Sequence, residues 1–209
     1  MDDLFKLVAT KFNEEKIPWW LEYGSLLGAI RDGKRIEWDY DYDLGYPLEY
    51  APQVLKALLS IKEIKKSDIN SNLYFHVGNR EPFNHVCVKP FVSIKGKVYE
   101  VTENKILKCI NVGKYFLFDF IRSLPLSLQI MIVKINMKTY SLLCYRGLSK
   151  YYKSFIKKNM NNIPTFVPIG YHNLLKDVYG ANYMIPNKDT STCYKGGVNE
   201  KEWLRRNRR

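Results

Sequence analysis

Tyr23-Gly24-Ser25-Leu26-Leu27-Gly28-Ala29-Ile30-Arg31-Asp32-Gly33, followed by Ile36-Glu37-Trp38-Asp39-Tyr40-Asp41-Tyr42-Asp43-Leu44-Gly45, carries both helical and strand patterns within 23 residues. The apolar, aromatic run from Trp19 to Tyr23 predicts a short strand, Gly24-Ser25 a tight turn, and Leu26 to Arg31 a helix. Asp32-Gly33-Lys34 supplies the next turn, and Ile36 to Tyr46 alternates with period two until Pro47, as a strand does. Helix and strand signals interleave here, which predicts an α+β or α/β chain with a small mixed, twisted sheet flanked by helices.

On a strand, Asp39, Asp41 and Asp43 share one face at intervals of about 7 Å. Three carboxylates side by side repel, and in a chain of net charge +12 a bound divalent cation is the simplest reason for keeping them. Carboxylate oxygens suit Mg²⁺ or Mn²⁺, and one or two carboxylates completed by phosphate oxygens is the usual arrangement for phosphoryl chemistry. The same pattern also fits an edge strand with an acidic outer face and its tyrosines packed inward. Gly24-Ser25 favours the metal reading, because the helix that follows offers unpaired backbone N–H groups to a phosphate.

Outward from this stretch, residues 2 to 16 carry Leu4, Phe5, Leu7, Val8 and Phe12 at helical spacing, with Pro18 as the stop. Residues 49 to 61 read as a helix. Leu73–Val77, His85–Ser93 and Lys97–Val101 read as strands, the last two joined as a hairpin through Ile94-Lys95-Gly96. Residues 114 to 160 read as a basic helical elaboration in which Pro125 starts or kinks a helix. Thr165–Val167 is extended, and Asn173 to Tyr179 is a helix closed by Gly180. The expected organisation is a single domain over residues 1–190 with a basic tail over 191–209, without repeats.

The 209 residues include 33 Lys+Arg, 21 Asp+Glu, 16 Tyr, 10 Phe and 4 Trp, too much apolar and aromatic material for a disordered chain. The isoelectric point near 9.4 attracts nucleic acid, phosphorylated small molecules, anionic glycans or lipid headgroups alike, so charge does not choose a partner. Cys87, Cys109, Cys144 and Cys193 form no CxxC, and the spacings of His76, His85 and His172 match no zinc motif. Reduced thiols and an N-terminus without a signal pattern lead us to expect a cytoplasmic protein. Residues 115–144 are interrupted by charges and a proline, so no transmembrane helix is expected. The basic amphipathic region 114–158 is read first as a helical part packed on the sheet with solvated lysines, and second as a surface for peripheral contact with an anionic membrane.

The two blocks quoted above, in that order and spacing, resemble the signature of the LicD family, which includes bacterial phosphocholine transferases and the fukutin-related proteins. A weaker echo follows in Val167-Pro168, Leu174-Leu175, Val178-Tyr179-Gly180 and Tyr183-Met184-Ile185-Pro186, so the resemblance brackets about residues 19 to 190. It implies a nucleotidyltransferase-type fold in which Gly24 and Ser25 hold phosphate oxygens and Asp41 and Asp43 hold Mg²⁺. Asp39 would support the metal or act as the base. Arg31 would bind phosphate or brace the acidic loop; a salt bridge to a strand aspartate is the structural alternative. The implied reaction moves a phospho-alcohol from a CDP-linked donor to a glycan or glycolipid hydroxyl. Nucleotidyl transfer from an NTP, or a silent anion-binding relative, shares the same elements, and nucleic acid is not the expected partner. Where the resemblance implies a third carboxylate, the segment Val86-Cys87-Val88-Lys89-Pro90-Phe91 carries Cys87. Glu100 is then a possible substitute, Lys89 a contact for an anionic donor, and a packing role the plain reading of Cys87.

Overall fold

The computed structural model describes residues 2–65, 69–70, 73–79, 84–102 and 123–186. The chain opens with helix α1 (Asp2–Glu14), strand β1 (Trp20–Leu21) and helix α2 (Tyr23–Arg31), then runs through β2 (Asp41–Pro47) and a 3-10 turn into α3 (Ala51–Ser60). Strands β3 (Ile69–Asn70), β4 (Phe75–Asn79), β5 (Asn84–Ile94) and β6 (Lys97–Thr102) follow. After Pro125 come α4 (Leu126–Thr139), β7 (Ser141–Leu148), a second 3-10 turn, β8 (Phe155–Met160), β9 (Ile163–Pro168) and α5 (Tyr171–Tyr179).

Seven strands form one mixed sheet in the order β1-β2-β5-β4-β3, with β6 pairing the far end of β5 and β7 pairing β6. Among the described strands of this sheet, β2 and β5 pair in parallel, with Asp41 opposite His85 and Asp43 opposite Cys87; the remaining pairs are antiparallel. β8 and β9 form a separate hairpin. The mixed sheet with helices agrees with the α+β expectation.

Side chains alternate across the sheet, and the apolar set defines one face. Tyr42, Leu44 and Tyr46 of β2, Val86 and Val88 of β5, and Phe75 and Val77 of β4 are fully buried in the main core, with Phe5, Val8 and Phe12 of α1 and Val54 and Leu58 of α3 packed over them. Phe5 stacks on Tyr42 with ring centroids 4.1 Å apart. The alternate residues, Asp41 and Asp43 of β2, His85, Cys87 and Lys89 of β5, and His76 of β4, occupy the other face.

The sequence reading of a helical region over 114–160 needs correction. Residues 114–122 lie outside the described residues, and the helix starting after Pro125 is present, but it ends at Thr139. Ser141–Leu148 is a strand, because the open edge of β6 pairs it despite its leucines, an instance of tertiary context deciding a weak local preference. Phe155–Met160 is the first arm of a hairpin turned at Asn161-Asn162, both at positive φ, the backbone that tight hairpins require. The 94–96 hairpin, turned through Lys95 and Gly96 at positive φ, is as expected. The tail at 191–209 lies outside the described residues. Among those described, no helix is long and apolar enough to cross a membrane.

Candidate active site

The site is built where β2, β5 and the first turn of α2 meet. Glu22 precedes the helix, and its backbone N–H donates to Asp43 O at 3.0 Å. The Ser25 hydroxyl accepts the Asp43 N–H at 2.8 Å. These two bonds lock the start of α2 to the acidic strand. The helix runs from Tyr23, so Gly24 and Ser25 belong to its first turn rather than to a turn before it. The N-cap Glu22 makes no side-chain cap hydrogen bond, which leaves that first turn suited to an anion. Glycine at position 24 leaves room for the Asp39 carboxylate: a Cβ there would lie 2.2 Å from Asp39 Oδ2.

Glu22 turns inward instead. It is fully buried, accepting from Arg146 Nη2 at 2.8 Å, Trp20 Nε1 at 2.7 Å and the Tyr152 hydroxyl at 2.9 Å. The Trp20 indole in turn covers Gly45, where an added Cβ would fall 2.6 Å from the ring. Arg146 also lies 3.7 Å from the Tyr23 ring centroid. Sequence reasoning missed Glu22, Arg146 and Tyr152 as a group, since 124 residues separate the ion pair; the only local signal was a glutamate just before the Tyr-Gly-Ser block.

Asp39 departs from the expectation. Strand β2 begins at Asp41, and Asp39 lies in the preceding turn, with its N–H donating to Ile36 O at 3.0 Å and its carboxylate accepting from Tyr40 N at 3.0 Å. It still faces the site, over Gly24. Burial, reinforced by the charge of Asp41, raises its pKa from the ordinary 3.8 to about 6. The Asp39 loop is braced by Arg35, which donates to Asp39 O and lies 3.9 Å from Asp2. Arg31 makes a different contact from either expected one: it pairs with its neighbour Asp32 at 2.7 Å and lies 5.9 Å from the Trp38 ring centroid.

Asp41 and Asp43 share the face that the alternation predicts. Asp43 is buried and meets Lys89 Nζ at 2.7 Å. Burial, with Asp41 and Asp39 adding to it, pushes Asp43 upward while Lys89 opposes. Lys89 is 3.9 Å from the Tyr23 ring centroid, and Asp43 with its other anionic neighbours holds it charged in spite of burial. Glu100 stands apart from the aspartates: it accepts from the Tyr23 hydroxyl and lies 3.8 Å from Cys144 Sγ. Cys87 lies opposite Asp43 in the parallel register, on the face that carries the aspartates. Its sulfur is 3.5 Å from Asp41 Oδ2 and 3.3 Å from His76 Nδ1, and burial raises its pKa, so by itself it is a protonated packing thiol. His85 reaches Asp41 Oδ2 with Nε2 at 3.6 Å.

Two carboxylates on neighbouring positions of one strand face, next to an uncapped helix start, suit a hard divalent ion that keeps water and phosphate oxygens in its remaining positions. Cys87, whose ligand atom lies with those of Asp41 and Asp43 within 4.8 Å, is a sulfur that Mg²⁺ does not use. Fold and site together define a mixed-sheet protein whose acidic strand is locked to a helix start.

The LicD/FKTN/FKRP nucleotidyltransferase domain matches residues 16–120, just over half of the chain, and the chain belongs to that family. Ribitol 5-phosphate transferase FKRP of Mus musculus and of Homo sapiens are each 64% identical to it over 33 residues, 16% of this chain. The matched stretch spans 7% of the length of those relatives.

Proposed function

We propose that the chain is a metal-dependent phosphotransferase that moves a phospho-alcohol, ribitol phosphate, phosphocholine or a similar group, from a CDP-activated donor to a glycan hydroxyl. The observation that carries the reading is the lock between helix α2 and strand β2: Ser25 on Asp43 and Gly24 against Asp39 bring a helix start and three carboxylates to one place. Family membership supplies the reaction class.

In this reading the first turn of α2, with Gly24 and Ser25, receives the donor diphosphate. Asp41 and Asp43 would hold Mg²⁺ or Mn²⁺, which when bound offsets charge on the diphosphate. The acceptor hydroxyl oxygen forms a bond to the phosphorus that bears the alcohol. The bond from that phosphorus to the bridging oxygen breaks, and CMP leaves with the electron pair. Asp39, the least tied to the strand, takes the hydroxyl proton. Positioning and electrostatics account for most of the acceleration in such a transfer. Because Lys89 already pairs with Asp43, holding a metal there would require Asp43 to leave the ammonium in part or to be shared with it.

That same ion pair favours a second reading, an anion-binding relative in which Lys89 replaces the metal at Asp43. Calorimetric titration with CDP-ribitol, CDP-choline, CDP-glycerol, CTP and ATP, with and without Mg²⁺, decides between them. Metal-dependent binding of one CDP-alcohol, lost in Asp41→Ala, is the expected outcome. Preference for an NTP would redirect the reading to nucleotidyl transfer, and binding indifferent to Mg²⁺ and to Asp41→Ala would overturn it in favour of the anion-binding relative.

A further inference from the structure

The pairing of β4, β5 and β2 brings together a second ligand set that the phosphotransfer reading does not use. His85 and Cys87 are two residues apart on β5 and so lie on one face, and the antiparallel register sets His76 of β4 opposite Cys87. Ligand atoms of His76, His85 and Cys87 all lie within 4.8 Å of one another. The sulfur is 3.3 Å from His76 Nδ1, close to the edge of about 3.5 Å that follows from Zn–S near 2.3 Å and Zn–N near 2.0–2.1 Å in a tetrahedron. Asp41 Oδ2 borders this set, 3.5 Å from the sulfur and 3.6 Å from His85 Nε2.

We infer that His76, His85 and Cys87 form a binding site for a borderline-soft cation of the Zn²⁺ type, adjoining the two-aspartate site and separate from it in ligand chemistry. Two imidazoles and a thiolate select Zn²⁺ over Mg²⁺, which prefers oxygen. Three protein ligands with a neighbouring carboxylate resemble a zinc site that keeps a fourth position for Asp41 or water. Access runs from the Asp41 side, whose side chain is 27% exposed and that of His85 12%. A coordinating thiol loses its proton to the solvent on binding, so the buried Cys87 becomes a thiolate only when the cation is present. Linear spacing hid the set because its members come from two strands and meet through register. The inference stands on these side chains alone and is independent of the donor.

The test is titration of the metal-stripped full chain with Co²⁺, the spectroscopic stand-in for Zn²⁺. The expected result is stoichiometric binding with sulfur-to-cobalt charge-transfer absorption, reversed by Zn²⁺ and not by millimolar Mg²⁺. Cys87→Ser should abolish the absorption, and His85→Ala and His76→Ala should each weaken Co²⁺ binding by at least about 10-fold, since even the outer partners of metal ligands are worth that much. Asp43→Asn should retain the absorption. Circular dichroism of each variant confirms folding, and the partly exposed His85→Ala keeps the test valid should Cys87→Ser misfold. Absence of the charge-transfer band, its survival in Cys87→Ser, or binding that depends on Asp43 and not on His85 would each overturn the inference. Because the probe is the metal alone, such a failure leaves the donor titration above untouched, and failure of the donor titration leaves this site standing.

Discussion

The two faces of strand β2 have opposite tasks. Tyr42, Leu44 and Tyr46 are fully buried against α1 and α3, and their removal from water favours the fold. Asp41 and Asp43, one residue out of phase, bring like charges together with Asp39 and require Lys89 to offset one of them. The tyrosines of the core face are satisfied: the Tyr42 hydroxyl donates to Asp2 at 2.6 Å and accepts from Asn161 at 2.8 Å. One period-two pattern thus specifies a stabilising face and an electrostatically unfavourable one at once, and in the proposed function a cation and a phosphorylated ligand relieve the second.

The largest effect is expected where a charge is buried for structure. Arg146→Ala leaves Glu22 buried without its guanidinium, and such a loss costs about 3–5 kcal/mol; urea unfolding should show the lowered midpoint, and loss of the α2 anchor should also weaken donor binding. Leu44→Ala on the core face should cost about 2–5 kcal/mol by the same measurement while a folded remnant still binds donor. Gly24→Ala divides the other way. Its new methyl group displaces the Asp39 carboxylate, the mobile end of a side chain, so calorimetry should find donor binding lost with the melting temperature lowered by only a few degrees.

The smallest effect is on pH dependence. With the Asp39 pKa at about 6 in the fold against an ordinary 3.8, the folded chain binds more protons than the unfolded chain between those values. The Asp39 contribution to the stability of the metal-stripped protein should therefore be full below about pH 4 and be lost as pH rises through about 6. Asp39→Asn should flatten that part of the profile and be at least as stable as the parent at pH 7; a steeper decline in the variant would contradict this account of Asp39.

Much of this face-by-face division is legible in the sequence. The alternation Asp41-Tyr42-Asp43-Leu44 states which residues go where, and the Lys95-Gly96 turn marks the hairpin. Asp39 was misphased because alternation continues through Trp38 and Tyr40, while the Asp39 carboxylate, by accepting from Tyr40 N, holds a turn that delays the strand to Asp41. Strand β7 was missed because a leucine-rich run becomes a strand only when β6 offers it an edge. The Glu22–Arg146 pair and the His76–His85–Cys87 set were invisible for one reason: both depend on register and topology, which bring together residues whose linear spacing has no pattern.

The most direct test of the account is the change in melting temperature that a CDP-alcohol and Mg²⁺ produce in the parent chain and in Asp41→Ala. The variant alone should melt at or above the parent's temperature, and the ligand-induced rise, present in the parent, should vanish. A variant that melts as low as Leu44→Ala, or that keeps the full ligand-induced rise, would contradict the claim that this face of β2 is given to binding rather than to stability.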